Sequence, residues 1–103
     1  MNLNGKIAVI TGGTRGIGYA VAQKLVECGA KLALIAAHGG ERAEEAVKNL
    51  TDIGAEARLY VCNIANPAEV SETAEQILAD FGGVDILVNN AGITRALPPA
   101  LSW

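Results

Sequence analysis

The chain has 103 residues, half of them apolar and 18% charged, with a formal net charge of −3. That length fits one domain with a real core, and the apolar fraction excludes a disordered chain. The acidic balance leaves no basic surface for nucleic acid, and no uninterrupted apolar stretch approaches the ~20 residues that span a bilayer.

The opening Met1-Asn2-Leu3-Asn4-Gly5-Lys6 has no apolar signal region, so a cytoplasmic protein with no membrane partner is expected. Lys6–Thr11 reads as a buried strand. It runs directly into Thr11-Gly12-Gly13-Thr14-Arg15-Gly16-Ile17-Gly18, where the pattern turns helical. A helix is predicted from about Gly16 to Cys28, with Ile17, Val21 and Leu25 at i, i+4 and i+8 and Gly29 as its stop. A strand, a glycine turn and a helix start together suit a pyrophosphate. Glycine lets the backbone turn tightly and come close, and the helix start offers free N–H groups and the positive end of its dipole.

Lys31–Ala36 is a second strand, and His38-Gly39-Gly40 a loop. A second helix is predicted over Glu41–Leu50, with Ala43, Ala46, Val47 and Leu50 on one face and Gly54 just beyond its end. Ala57–Cys62 is a third strand. The third helix has the clearest start: Asn66 as cap, Pro67 at the first helical position, and Glu69 at capping-box spacing. Its apolar face is Val70, Ala74, Ile77, Leu78 and Phe81, and Gly82-Gly83 ends it. Asp85–Asn89 is a fourth strand. The two cysteines, Cys28 and Cys62, lack metal-ligand spacing and read as reduced, largely buried thiols.

Continuous apolar strands alternating with helices predict an α/β fold: a truncated Rossmann-type doubly wound parallel sheet of four strands, order 3-2-1-4, with three helices. The glycine turn falls at the carboxyl edge of that sheet, where such folds bind ligands. Residues 1–95 are expected to form a dinucleotide-binding unit, and residues 96–103, with Pro98-Pro99, break the strand–helix rhythm as a tail.

The spacing Gly12-x-x-x-Gly16-x-Gly18 differs from the general dinucleotide fingerprint and resembles the form used by short-chain dehydrogenases/reductases. A second signature, Asn89-Asn90-Ala91-Gly92, follows the fourth strand. The resemblance runs from about Asn4 to Arg95, and it implies that residues 1–95 are half of a domain and the tail atypical. Within the family, the run Leu3-x-Gly5-Lys6 through Gly12 and the run Asn90 through Arg95 are similar to 3-oxoacyl-[acyl-carrier-protein] reductases and related bacterial reductases.

The resemblance implies roles for matching residues. Gly12, Gly16 and Gly18 shape the phosphate turn, with Thr14 inside it, and Ile17 offers a backbone N–H to the pyrophosphate. For Gly18, close helix–strand packing is an equally good reading. Asn90, Ala91 and Gly92 line the adenosine-ribose side, whereas Asn89 is read as tying strands together. Where the family commonly carries an Asp that binds the adenine amino group, this chain has Asn63, whose amide oxygen still accepts a hydrogen bond. Ile64 would pack against the adenine ring.

The second strand ends Ile35-Ala36-Ala37-His38, with no acid before Glu41 to hold a ribose 2′-hydroxyl. Arg15 in the turn, Arg42 and His38 are candidates for a 2′-phosphate. NADP(H) is therefore the expected cofactor, with NAD(H) the alternative.

The family's chemistry needs a Tyr, a Lys four residues later and an upstream Ser. Tyr19 is followed at that distance by Gln23 and Tyr60 by Ile64, and Ser102 is the one serine after the fourth strand. The resemblance thus implies a cofactor-binding portion that is inactive alone. An exposed fourth strand would favour a homo-oligomer through that side, with Leu97, Leu101 and Trp103 as a cover. The alternative is a non-catalytic oligomeric assembly or binding module derived from the half-domain.

Overall fold

Two consecutive apolar strands with no polar interruption must be buried on both faces, and they set the centre of the structure. The computed structural model describes residues 2–12, 14 and 16–89. β1 (Ile7–Thr11) is buried along its whole length, and β2 (Lys31–Ala36) nearly so. β3 (Ala57–Val61) and β4 (Ile86–Asn89) flank them in a parallel sheet ordered β3-β2-β1-β4. Val9 pairs with Ala33 on one side and Leu87 on the other, and Leu34 lies beside Leu59. The predicted topology and strand order are those observed.

Alternation along the central strands divides the core into two layers. Ala8, Ile10, Leu32 and Leu34 point to one face, where they meet Ala22 of α1 (Gly16–Glu27) and Leu50 of α2 (Glu41–Asp52). Val9 and Ala33 point to the other and pack with Tyr60 of β3 and Ile77 of α3 (Pro67–Phe81). Covering both faces removes the main-strand apolar surface from water, which is what makes the parallel arrangement stable.

Helix boundaries follow local chemistry. The Asn66 side chain accepts from the N–H groups of Ala68 and Glu69, Pro67 occupies the first helical position, and Gly82 ends α3 in the left-handed region. α2 runs two residues past the predicted Leu50, to Asp52, and Gly54 follows its C-cap. Cys28 is half-buried, Cys62 is buried, and both are free thiols.

One face differs from its sequence pattern. Of the residues expected to line the apolar side of α3, Ile77 is buried and Phe81 half-buried, whereas Val70, Ala74 and Leu78 are exposed. Thr73 takes a buried place beside Ile77 instead. The apolar stripe of α3 is wider than the contact it makes, because among the described residues the buried side chains of the layer beneath it are three, Val9, Ala33 and Tyr60.

Tyr60 anchors that layer at its polar end. Its hydroxyl donates to Asp80 Oδ2 at 2.7 Å, joining β3 to the last turn of α3. Burial first, and then the neighbouring carboxylate, hold the phenol above its ordinary value near 10, with Arg58 acting in the opposite direction. A raised folded-state pKa means the unfolded chain loses this proton first. The stabilisation is therefore complete below pH ~10 and is lost as pH rises further. Tyr60→Phe is expected to cost about 1 kcal/mol at neutral pH and to flatten the alkaline decline, as read by urea unfolding on either side of pH ~10.

Candidate cofactor site at the carboxyl edge of the sheet

Parallel strands place all their carboxyl ends on one edge, so Gly12, Ala37, Cys62 and the end of β4 share it. The ladder reaches just past the strands. The Gly12 N–H donates to Ile35 O at 2.8 Å, and the Cys62 N–H to Ala36 O at 2.9 Å. The turn after β1 is thereby held against β2 before it departs toward α1.

Two glycines in that turn need a conformation that other residues avoid. Gly12 has φ 67° and Gly16 φ 61°, both in the left-handed region. Among the described residues a Cβ built on Gly16 would meet nothing within 4 Å, and the left-handed conformation calls for glycine there. That open space lies at the first turn of α1, whose leading N–H groups have no acceptor within the helix. Gly12 and Gly16 thus put glycine backbone beside a helix start, a kind of position that favours anions in general.

The other candidates are distributed around this turn. Thr14 is half-buried in the turn, and Ile17 stands 73% exposed in the first turn of α1. Gly18 is buried, in keeping with close packing of α1 on the sheet. His38 is exposed in the loop after β2, and Arg42 is exposed in the first turn of α2. A Cβ on Gly39 would come within 3.2 Å of Val61 Cγ2, so this loop lies against the end of β3. Asn63 and Ile64 are exposed just beyond that end. Arg15, Asn90, Ala91 and Gly92 lie outside the described residues, as do Gly13 and residues 93–103.

Asn63 already uses part of its amide. Its Oδ1 accepts from the Ala65 N–H at 3.0 Å, and among the described residues one lone pair and both N–H donors remain. Asn89 has the structural role read from sequence: the Thr11 hydroxyl donates to its Oδ1 at 3.1 Å, linking β1 to β4. Sequence reasoning passed over Val61, which is 55% exposed at the end of β3 and adds apolar surface beside Gly39. Its alternation with buried Tyr60 was the available signal.

No group of three or more His, Cys, Asp or Glu that could hold a metal ion occurs among the described residues. None of the described helices is long and apolar enough to cross a membrane.

A doubly covered parallel sheet ordered 3-2-1-4, with a glycine turn at the carboxyl end of its central strand, defines the Rossmann-type dinucleotide-binding class. Comparison with known proteins narrows that class. The short chain dehydrogenase family model matches residues 6–101, and the chain belongs to this family.

It is 47% identical over 96 residues to the 3-oxoacyl-[acyl-carrier-protein] reductase FabG of Salmonella typhimurium, covering 92% of this chain and 37% of that protein. The chain thus spans little more than a third of the length of that curated relative. Among solved structures, NAD+-bound xylitol dehydrogenase superposes with TM-score 0.84 at 38% identity, covering 89% of this chain and 35% of that one. A metagenomic short-chain oxidoreductase in complex with NADP superposes with TM-score 0.82 at 37% identity, covering 88% and 40%.

Proposed function

We propose that these 103 residues are the NADP(H)-binding portion of a short-chain reductase of the 3-oxoacyl-[acyl-carrier-protein] reductase type. The observation that carries the proposal is the pair of positive-φ glycines, Gly12 and Gly16, bracketing the turn into the first turn of α1. In this reading Gly12, Thr14, Gly16 and the Ile17 N–H receive the pyrophosphate. Ile64 and Asn63 take the adenine, and Asn90, Ala91 and Gly92 take the ribose side. When bound, the reduced cofactor would supply the hydride for a reduction of this type. The role of the present residues is to hold its adenosine and phosphate portions.

The preference for a 2′-phosphate rests on charge. The first acid after β2 is Glu41, while His38 and Arg42 follow β2 in the chain and Arg15 is a cationic candidate by its place in the glycine motif. A ribose 2′-hydroxyl therefore meets no carboxylate immediately after β2, and a 2′-phosphate meets no close repulsion. Calorimetric titration is expected to give tighter binding of NADP+ than of NAD+, and the reverse order would overturn the assignment.

Neither tyrosine fits the family's catalytic spacing, since Gln23 and Ile64 stand where Lys is required. The proposal accordingly gives these residues cofactor binding without carbonyl reduction of their own. An oligomeric assembly module is the second reading. It is favoured by β4, which has one strand neighbour among the described residues and carries Leu87 at 59% exposure. Light scattering across micromolar concentrations is expected to give a homo-oligomer that buries the β4 side, and a monomer throughout would refute it.

A further inference from the structure

We infer that Glu69 is a positioning residue for the adenine end of the nucleotide site, an inference that rests on the cofactor site proposed above. Its sequence spacing from Asn66 suggests a helix cap. The carboxylate goes elsewhere: Oε1 accepts from the backbone N–H of Asn63 at 3.1 Å, six residues back.

The reason is that the Asn66 N–H is already taken. It donates to Asn63 O at 3.0 Å, closing a tight turn over residues 63–66. Within that turn Asn63 Oδ1 accepts from Ala65, and Asn66 Oδ1 accepts from Ala68 and Glu69. These bonds shape the turn internally. Alternate N–H groups of this edge strand donate to β2 and Cys62 makes the last such bond, so the chain leaves the sheet at Asn63. Glu69 takes over at that residue and ties the start of the turn to α3.

The residues so fixed are the two with adenine roles. Asn63 presents its remaining amide groups and Ile64, 45% exposed, its apolar side chain. Both depend on the direction in which the chain leaves β3. Removing the carboxylate leaves the turn's own bonds intact but frees its direction, which lowers the fraction of chains ready to receive adenine. Water competes for an exposed hydrogen bond, so the expected loss is about three- to tenfold in affinity.

The test uses 2′,5′-ADP, which carries the adenine and the 2′-phosphate, in calorimetric titrations of this chain and three variants. Glu69→Gln keeps an acceptor of the same reach without the charge. Glu69→Asp keeps the charge at the helix start but is shorter by about 1.5 Å, one methylene. Glu69→Ala keeps neither.

The expected result is near wild-type affinity for Glu69→Gln and about three- to tenfold weaker binding for both Glu69→Asp and Glu69→Ala. In an Asn63→Ala background, which keeps the backbone N–H and Ile64, Glu69→Ala should still weaken binding, but by less than in the wild-type chain. A purely helix-stabilising role would instead leave Glu69→Asp like wild type and weaken Glu69→Gln; that order, or equal binding by all variants, would overturn the inference. Failure of the wild-type chain to bind 2′,5′-ADP would overturn the cofactor site itself, and this inference with it.

Discussion

Gly16→Ala is expected to weaken NADP+ binding about ten- to hundredfold while the chain still folds. An L-residue in the left-handed region costs about 1–2 kcal/mol, and the turn escapes that cost by moving away from its present shape. The added methyl also occupies the open space over Gly16, where the proposed pyrophosphate approaches.

Gly54 provides the control. It has φ 97°, a Cβ built there would meet nothing within 4 Å among the described residues, and it precedes β3 at the opposite, amino edge of the sheet. Gly54→Ala should lower stability by a similar ~1–2 kcal/mol and leave nucleotide affinity unchanged. Calorimetry and urea unfolding on both variants separate the two effects. Equal affinity of Gly16→Ala and wild type would remove the glycine turn from the site.

Leu34→Ala is expected to cost about 3 kcal/mol, within the roughly 2–5 kcal/mol usual for a buried leucine. Leu34 is fully buried in β2, flanked by Ile10 of β1 and Leu59 of β3, and belongs to the layer under α1 and α2. Domains of this size are stable by only about 5–15 kcal/mol, so the loss takes a large share. Leu78→Ala makes the same chemical change on α3, where the side chain is 51% exposed, and is expected to stay within about 0.5 kcal/mol. Saturating NADP+ should partly restore the melting temperature of Leu34→Ala, because a ligand that binds only the folded state shifts the equilibrium toward it. A comparable loss for both leucines in urea unfolding would contradict the layer assignment.

Much of this protein is legible along the chain because its signals are short-range. Ile7–Thr11 and Lys31–Ala36 are apolar runs too continuous for a half-exposed strand, and both are central. Asn66 and Pro67 announce a helix start through bonds and backbone angles confined to a few residues. The glycines at 12 and 16 announce a turn for the same reason: their left-handed φ angles are a local requirement.

The misread features depend on distant neighbours. Val70, Ala74 and Leu78 share the helical spacing of Ile77, yet only Ile77 faces Val9, Ala33 and Tyr60. Periodicity gives the width of an apolar stripe, and not which of its edges meets the sheet.

The sequence by itself determined the order of elements, the parallel sheet and its 3-2-1-4 arrangement, the family, and the place of the glycine turn. The family follows from the resemblance of two short motifs, and the rest from local propensity or the restricted ways of connecting parallel strands. Only the tertiary structure decided that Glu69 serves Asn63, that Tyr60 joins Asp80, and that Val61 lies against the loop carrying Gly39. A carboxylate or hydroxyl takes whichever partner packing brings within hydrogen-bond reach, and an exposed valine gains meaning only from the backbone that folds beside it.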